Sequence, residues 1–102
     1  MPRLPDVEKS LQSLREEKFT EEQLIKKISM QLLSLIRYDH QKVINLLYKY
    51  DIDEQKARLA FKLINDEDIA NELACLIVQR EAQKIALRKK YAQFSADDTN
   101  PL

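Results

Sequence analysis

The chain has 102 residues, about the length of one domain, with 44% hydrophobic and 33% charged side chains, as in typical globular proteins. It contains no glycine. Because phosphate-binding loops and tight hairpins depend on glycine, this absence disfavours a P-loop, a dinucleotide-binding fold and a hairpin-rich β protein. The 17 basic and 17 acidic residues cancel, so the molecule as a whole is not an electrostatic nucleic-acid binder.

A single cysteine, Cys75, excludes an intramolecular disulfide and a multi-cysteine zinc centre. No apolar run reaches the length of a signal peptide or a membrane span. We therefore expect a cytoplasmic protein that has no membrane partner.

The first periodic segment places Val7, Leu11 and Leu14 on one stripe and predicts a short amphipathic helix that ends near Lys18. Four further helix starts then share one pattern: an apolar residue, a capping residue, three polar residues and a second apolar residue. The predicted N-caps are Thr20, Asp39, Asp53 and Asn65. The apolar residues predicted to pack onto the helices that they precede are Phe19, Tyr38, Ile52 and Ile64.

The pattern predicts an all-α fold, a compact five-helix bundle with a long C-terminal helix over residues 65–94. We expect a single domain over 1–94, followed by a disordered polar tail over 95–102. The second helix, residues 21–37, is predicted to be central or to be contacted on a second side. On the fourth helix, Ala57, Ala60, Phe61 and Ile64 are assigned to the inner face, and Leu59 and Leu63 to the other side.

The last helix is predicted to be about 43 Å long, longer than a compact body of this size. Its first half is apolar nearly all round at residues 74–78, which predicts deep burial. Its second half carries a break of charge at Arg80 and Lys84 and then a new apolar patch of Leu87, Tyr91 and Phe94. This patch must meet the N-terminal helix or another chain.

Charge is divided along the chain: residues 51–78 hold seven acidic and three basic side chains, whereas residues 79–94 hold five basic and one acidic. Arg80, Lys84 and Arg88 recur at four-residue spacing along one edge, and Lys89 and Lys90 extend the basic run. Cations at a helix C-terminus complement its dipole, and they are also able to bind phosphate. An acidic middle and a basic end suit head-to-tail or antiparallel contacts between copies of the chain.

Residues 43–61 resemble a helix-turn-helix, because two short helices are joined by a tight turn and the second carries Gln55, Lys56 and Arg58. The resemblance implies a second helix that enters a major groove. The segment departs from the family pattern at Leu47, where a small residue is usual, and at Asp51, where glycine is typical. In size and helical class the chain is also similar to the small all-helical subunits of RNA-guided defence complexes.

Catalytic chemistry has little support in the sequence. His40 follows a capping aspartate and is expected to be a solvated first-turn residue, and Cys75 is expected to act as a small hydrophobe. The carboxylates of Asp66, Glu67, Asp68 and Glu72 are typical of a helix N-terminus. We therefore predict no enzyme, no catalytic residue, no cofactor, no metal site and no small-molecule substrate.

The leading hypothesis is a non-enzymatic protein-protein interaction module or accessory subunit that docks on a partner protein or on a second copy through its last helix. In this hypothesis Leu87, Tyr91 and Phe94 are buried at the contact, and Arg80, Lys84 and Arg88 set register or partner choice. The alternative is nucleic-acid association through Arg88, Lys89 and Lys90 or through the helix-turn-helix-like segment.

Overall fold

The computed structural model describes residues 6–16 and 18–97, with the side chains of residue 15 and of residues 92–97 outside the description. The described chain is all-α, as predicted. Its five helices are α1 (Val7–Arg15), α2 (Glu21–Tyr38), α3 (His40–Lys49), α4 (Glu54–Phe61) and α5 (Asp66–Asp97). α5 thus extends past the expected end at residue 94. Residues 98–102 of the predicted tail lie outside the described residues, and the division into domain and tail stays a prediction.

The predicted N-caps form, because each cap needs only a short polar side chain within three residues of a helix start. Thr20 Oγ1 accepts from the Gln23 backbone N–H at 3.2 Å, and Gln23 Oε1 accepts from the Thr20 N–H at 3.0 Å, which completes a capping box. The carboxylates of Asp39 and Asp53 and the amide oxygen of Asn65 accept in the same way at the starts of α3, α4 and α5.

Two of the predicted apolar staples are wrong. Tyr38 is 81% exposed and Ile64 is 99% exposed, so neither packs onto the helix that follows it. Tyr38 is the last residue of α2, and Asp39 alone separates it from α3, so its direction is set by α2. The predicted position of Ile64 on the inner face of α4 is also wrong, because α4 ends at Phe61 and Ile64 lies in the turn after it.

The core is built around α2 and α5, which share the largest helix–helix interface of the described chain. The side chains that are 0% exposed on these two helices are Leu24, Ile28, Leu32 and Leu35 from α2 and Ala70, Leu73, Ala74, Ile77 and Val78 from α5. α1, α3 and α4 close this core with Val7, Leu11, Val43, Leu46, Leu47, Ala57 and Ala60.

Burial of α5 is less complete than predicted at residues 74–78. Cys75 and Leu76 stay partly exposed, whereas Ala74, Ile77 and Val78 are buried. The reason is α4, which has only eight residues and covers one side of this segment, leaving a groove beside Leu76.

α2 and α5 run antiparallel, since Arg37 near the end of α2 contacts Asp66 and Glu67 at the start of α5, at 3.5 and 3.1 Å. At ~1.5 Å of rise per residue, α2 is about 27 Å long and α5 about 48 Å. The start of α2 is therefore level with about residue 83 of α5. Residues 84–97, which we call the overhang, continue about 20 Å further, and the longest dimension of the molecule is 52 Å.

The turn between α3 and α4 forms a Schellman motif, with Asp51 in the left-handed region at φ 58°. The Ile52 N–H donates to the Leu47 carbonyl at 3.0 Å, and the Asp51 N–H donates to the Tyr48 carbonyl at 3.1 Å. Glycine usually occupies this position because it has no Cβ, but aspartate tolerates the left-handed conformation better than most residues. The chain therefore makes a glycine-type turn without glycine.

Candidate functional site

The overhang carries the predicted apolar patch in an open position. Leu87 is 47% exposed and Tyr91 is 68% exposed, and Arg88, Lys89 and Lys90 beside them are also exposed. α1 does not cover this patch: Ser10 of α1 hydrogen-bonds Gln31 in the middle of α2, at 3.0 Å. The side chain of Phe94, the third predicted member, lies outside the described residues.

Arg80 and Lys84, predicted to set register or partner choice, are held by the body of the protein. Arg80 Nη2 donates to Asp51 Oδ2 at 3.2 Å, and Lys84 Nζ donates to the Tyr50 carbonyl at 3.2 Å. Lys84 Nζ also lies 6.0 Å from the centre of the Tyr50 ring, within cation–π range. Both cations therefore tie the base of the overhang to the α3–α4 turn.

The helix-turn-helix-like segment presents a balanced charge on α4. Gln55, Lys56 and Arg58 are exposed, as a groove-reading helix requires. Arg58 Nη2, however, contacts Glu54 Oε1 at 2.8 Å on the same helix. Since Asp53 caps α4 at the end that would approach a phosphate backbone, this face offers no excess of positive charge.

The other polar candidates have structural partners. The His40 ring lies 5.5 Å from that of Phe61, between centroids. Burial, and to a smaller extent the charge of Glu72, raises the pKa of the Cys75 thiol above its usual value, which disfavours the nucleophilic thiolate. Within residues 6–16 and 18–97, no three His, Cys, Asp or Glu side chains are grouped as metal ligands. None of the described helices has the length and apolar character needed to cross a membrane.

A groove between α4 and α5 was not identified as a site from the sequence. It has a volume of about 460 Å³, and its walls include Leu59 from α4, Leu63 from the turn after α4, and Glu72, Leu76 and Gln79 from α5. Leu59 is 63% exposed and Leu63 is 40% exposed, although both are large and apolar. The sequence signal for this groove is the position of both leucines on the side of the predicted fourth helix opposite its alanines, and that position alone indicates no role.

The outward face of α5 joins the groove to the overhang. By the 100°-per-residue rule, six residues lie within about 80° of one another on this face. These residues, which we call the outer stripe, are Glu72, Leu76, Gln79, Gln83, Leu87 and Lys90. Leu76 is partly exposed and the other five are exposed. The outer stripe is thus an open surface, apolar at two positions and oppositely charged at its two ends.

Comparison with protein-family models, with curated proteins and with solved structures gives no match.

Proposed function

We propose that this protein is a non-enzymatic docking module or accessory subunit that binds a partner protein through the overhang of α5. The observation that carries the proposal is the position of Leu87 and Tyr91, which are exposed beyond the start of α2 on a helix that the rest of the bundle supports. A core helix needs no apolar side chains where no core exists, so these residues are best explained by a contact with another molecule.

The contacts at the base of the overhang support the same proposal. Arg80 and Lys84 attach α5 to the α3–α4 turn, so the overhang leaves the bundle in a fixed direction. A rigid helix loses little conformational freedom on binding, and exposed aromatic and leucine side chains supply the apolar area that helix–helix docking buries. Because of the single cysteine, we place this module in the reducing cytoplasm.

Site-specific photo-crosslinking in cells tests this proposal. A benzophenone amino acid replaces Tyr91 in the full chain, and in a matched control it replaces Tyr38, which is equally aromatic and 81% exposed but lies on α2. We expect a protein adduct from position 91, none from position 38, and loss of the adduct when Leu87→Glu is added. Docking through the overhang is refuted if position 91 gives no adduct, or if its adduct persists unchanged when Leu87→Glu is added.

A second candidate function, nucleic-acid association, is favoured by the adjacent exposed cations Arg88, Lys89 and Lys90 beside the exposed ring of Tyr91. Cations bind backbone phosphate and aromatic rings stack on bases. Mobility-shift titrations with single-stranded RNA and duplex DNA test it. Affinity that falls steeply with salt and is lost in Arg88→Glu/Lys90→Glu supports this function, and no binding at low salt excludes it.

A further inference from the structure

We propose that the partner of the overhang is a second copy of this chain, and that two copies pair antiparallel along their outer stripes, so that each overhang occupies the other copy's α4–α5 groove. This inference rests on the proposed docking function and names its partner. Its starting point is the charge along the outer stripe, where Glu72 stands at one end and Lys90 at the other.

The outer stripe is self-complementary when it is reversed about residue 81. Glu72 lies nine residues before this centre and Lys90 nine after it, so each glutamate faces a lysine of the other copy. Gln79 and Gln83 lie two residues before and after the centre, and their amides pair without a buried charge. A two-fold axis at residue 81 thus satisfies the isologous rule, in which each contact occurs twice.

The apolar residues follow the same symmetry. Leu76 lies five residues before the centre and Leu87 six after it, so each Leu87 meets a Leu76 of the other copy beside the groove. At ~1.5 Å per residue, the stripe from Glu72 to Lys90 spans about 27 Å, which is long enough for a helix–helix interface of several turns. Leu59 and Leu63 then form the groove wall against the incoming helix.

Tyr91 is also on the correct side for this arrangement. On the helical wheel it lies at the edge of the outer stripe that also carries Arg80 and Lys84, about 40° to 60° from Leu87 and Leu76. Arg80 and Lys84 contact the α3–α4 turn, so α4 flanks this edge. A two-fold axis perpendicular to both helices keeps this edge on the same side in both copies, and each Tyr91 therefore faces the other copy's α4.

Charge reversal tests the pairing, with mass measured by light scattering on the full chain over a range of concentrations. We expect a wild-type dimer, a shift toward monomer in both Glu72→Lys and Lys90→Glu, and recovery of the dimer in the double variant. The matched control is Lys89→Glu, which makes the same charge change about 100° away from Lys90 and should leave the dimer intact. A monomeric wild type, or a double variant no better than the single ones, overturns the proposal.

Disulfide trapping tests the direction of the pairing. In a Cys75→Ala background, Glu72→Cys and Lys90→Cys proteins are oxidised separately and as a mixture. Residue 72 of one copy would lie about 27 Å from residue 72 of the other, so only the mixture should form a covalent dimer at high yield. A covalent dimer formed by Glu72→Cys alone, or none in the mixture, overturns the antiparallel register.

These tests also separate the two proposals. A monomeric wild type that still gives a Leu87-dependent protein adduct at position 91 overturns the second copy and leaves docking on another protein. A dimer insensitive to Leu87→Glu also overturns the pairing, because the copies then meet elsewhere. Docking through the overhang is overturned separately, when position 91 gives no Leu87-dependent adduct.

Discussion

The division of α5 into a core half and a docking half predicts that the same substitution has different effects at two leucines on this helix. Leu73 is 0% exposed in the α2–α5 interface, whereas Leu87 is 47% exposed on the overhang. We expect Leu73→Ala to destabilise the protein strongly and Leu87→Ala to leave the isolated chain nearly as stable as wild type.

The magnitudes follow from burial. A leucine truncated to alanine in a closed core loses its transfer free energy and leaves a cavity, which together cost about 3–5 kcal/mol. Leu87 is only about half covered, so its truncation costs about 1 kcal/mol or less, part of which the higher helix propensity of alanine offsets. For a domain of this size, these values lower Tm by roughly 15–30 °C at Leu73 and by less than about 8 °C at Leu87.

Urea unfolding followed by far-UV circular dichroism measures both variants at a protein concentration low enough to keep the chain monomeric. If Leu73→Ala fails to fold, Ile77→Val replaces it, since Ile77 is equally buried and the loss is then about 0.5–1.5 kcal/mol. Equal destabilisation by Leu73→Ala and Leu87→Ala under these conditions would refute the division of α5 into a core half and a docking half. At higher concentration, the cost of Leu87→Ala should grow, because the docked state is then populated in the wild type only.

Three further outcomes are expected. Asp51→Val should be less stable than Asp51→Gly by about 1–2 kcal/mol in urea unfolding, since a β-branched side chain resists the left-handed φ at this turn; equal stabilities would argue against the Schellman geometry. Thr20→Ala should lower the free energy of unfolding by about 1 kcal/mol, and Thr20→Ser should lower it much less, because serine keeps the capping oxygen. A similar loss in both variants would show that the capping hydrogen bond does not stabilise the protein. Near neutral pH, iodoacetamide should alkylate Cys75 more slowly in the folded chain than in the urea-unfolded chain, and faster in folded Glu72→Gln than in folded wild type. The reason is that burial first and the charge of Glu72 second raise the pKa of the Cys75 thiol and suppress the reactive thiolate. An unchanged alkylation rate in Glu72→Gln would contradict the charge effect.

The candidate site was only partly accessible from the sequence. The periodicity of α5 identified Leu87 and Tyr91, because a charged interruption followed by new apolar residues is visible without a structure. It also grouped Arg80 and Lys84 with them, since the wheel places all four along one region of the helix. The structure assigns those two cations to Asp51 and to the Tyr50 carbonyl, partners 29 and 34 residues away that helical spacing does not reveal.

The sequence by itself determined the helices and their starts, because a cap such as Thr20 or Asn65 acts on an N–H group three residues away. Only the tertiary structure decided what covers each helix. Tyr38 and Ile64 are exposed to solvent, although local spacing predicted that they pack onto the next helix. Leu76 of α5 stays partly exposed beside a groove, because α4 is short and covers this part of α5 incompletely. Such coverage depends on the lengths and crossing of helices that are distant in the chain. The exposure of the outer stripe, and with it the proposed pairing of two copies, therefore depends on how α4 packs against α5.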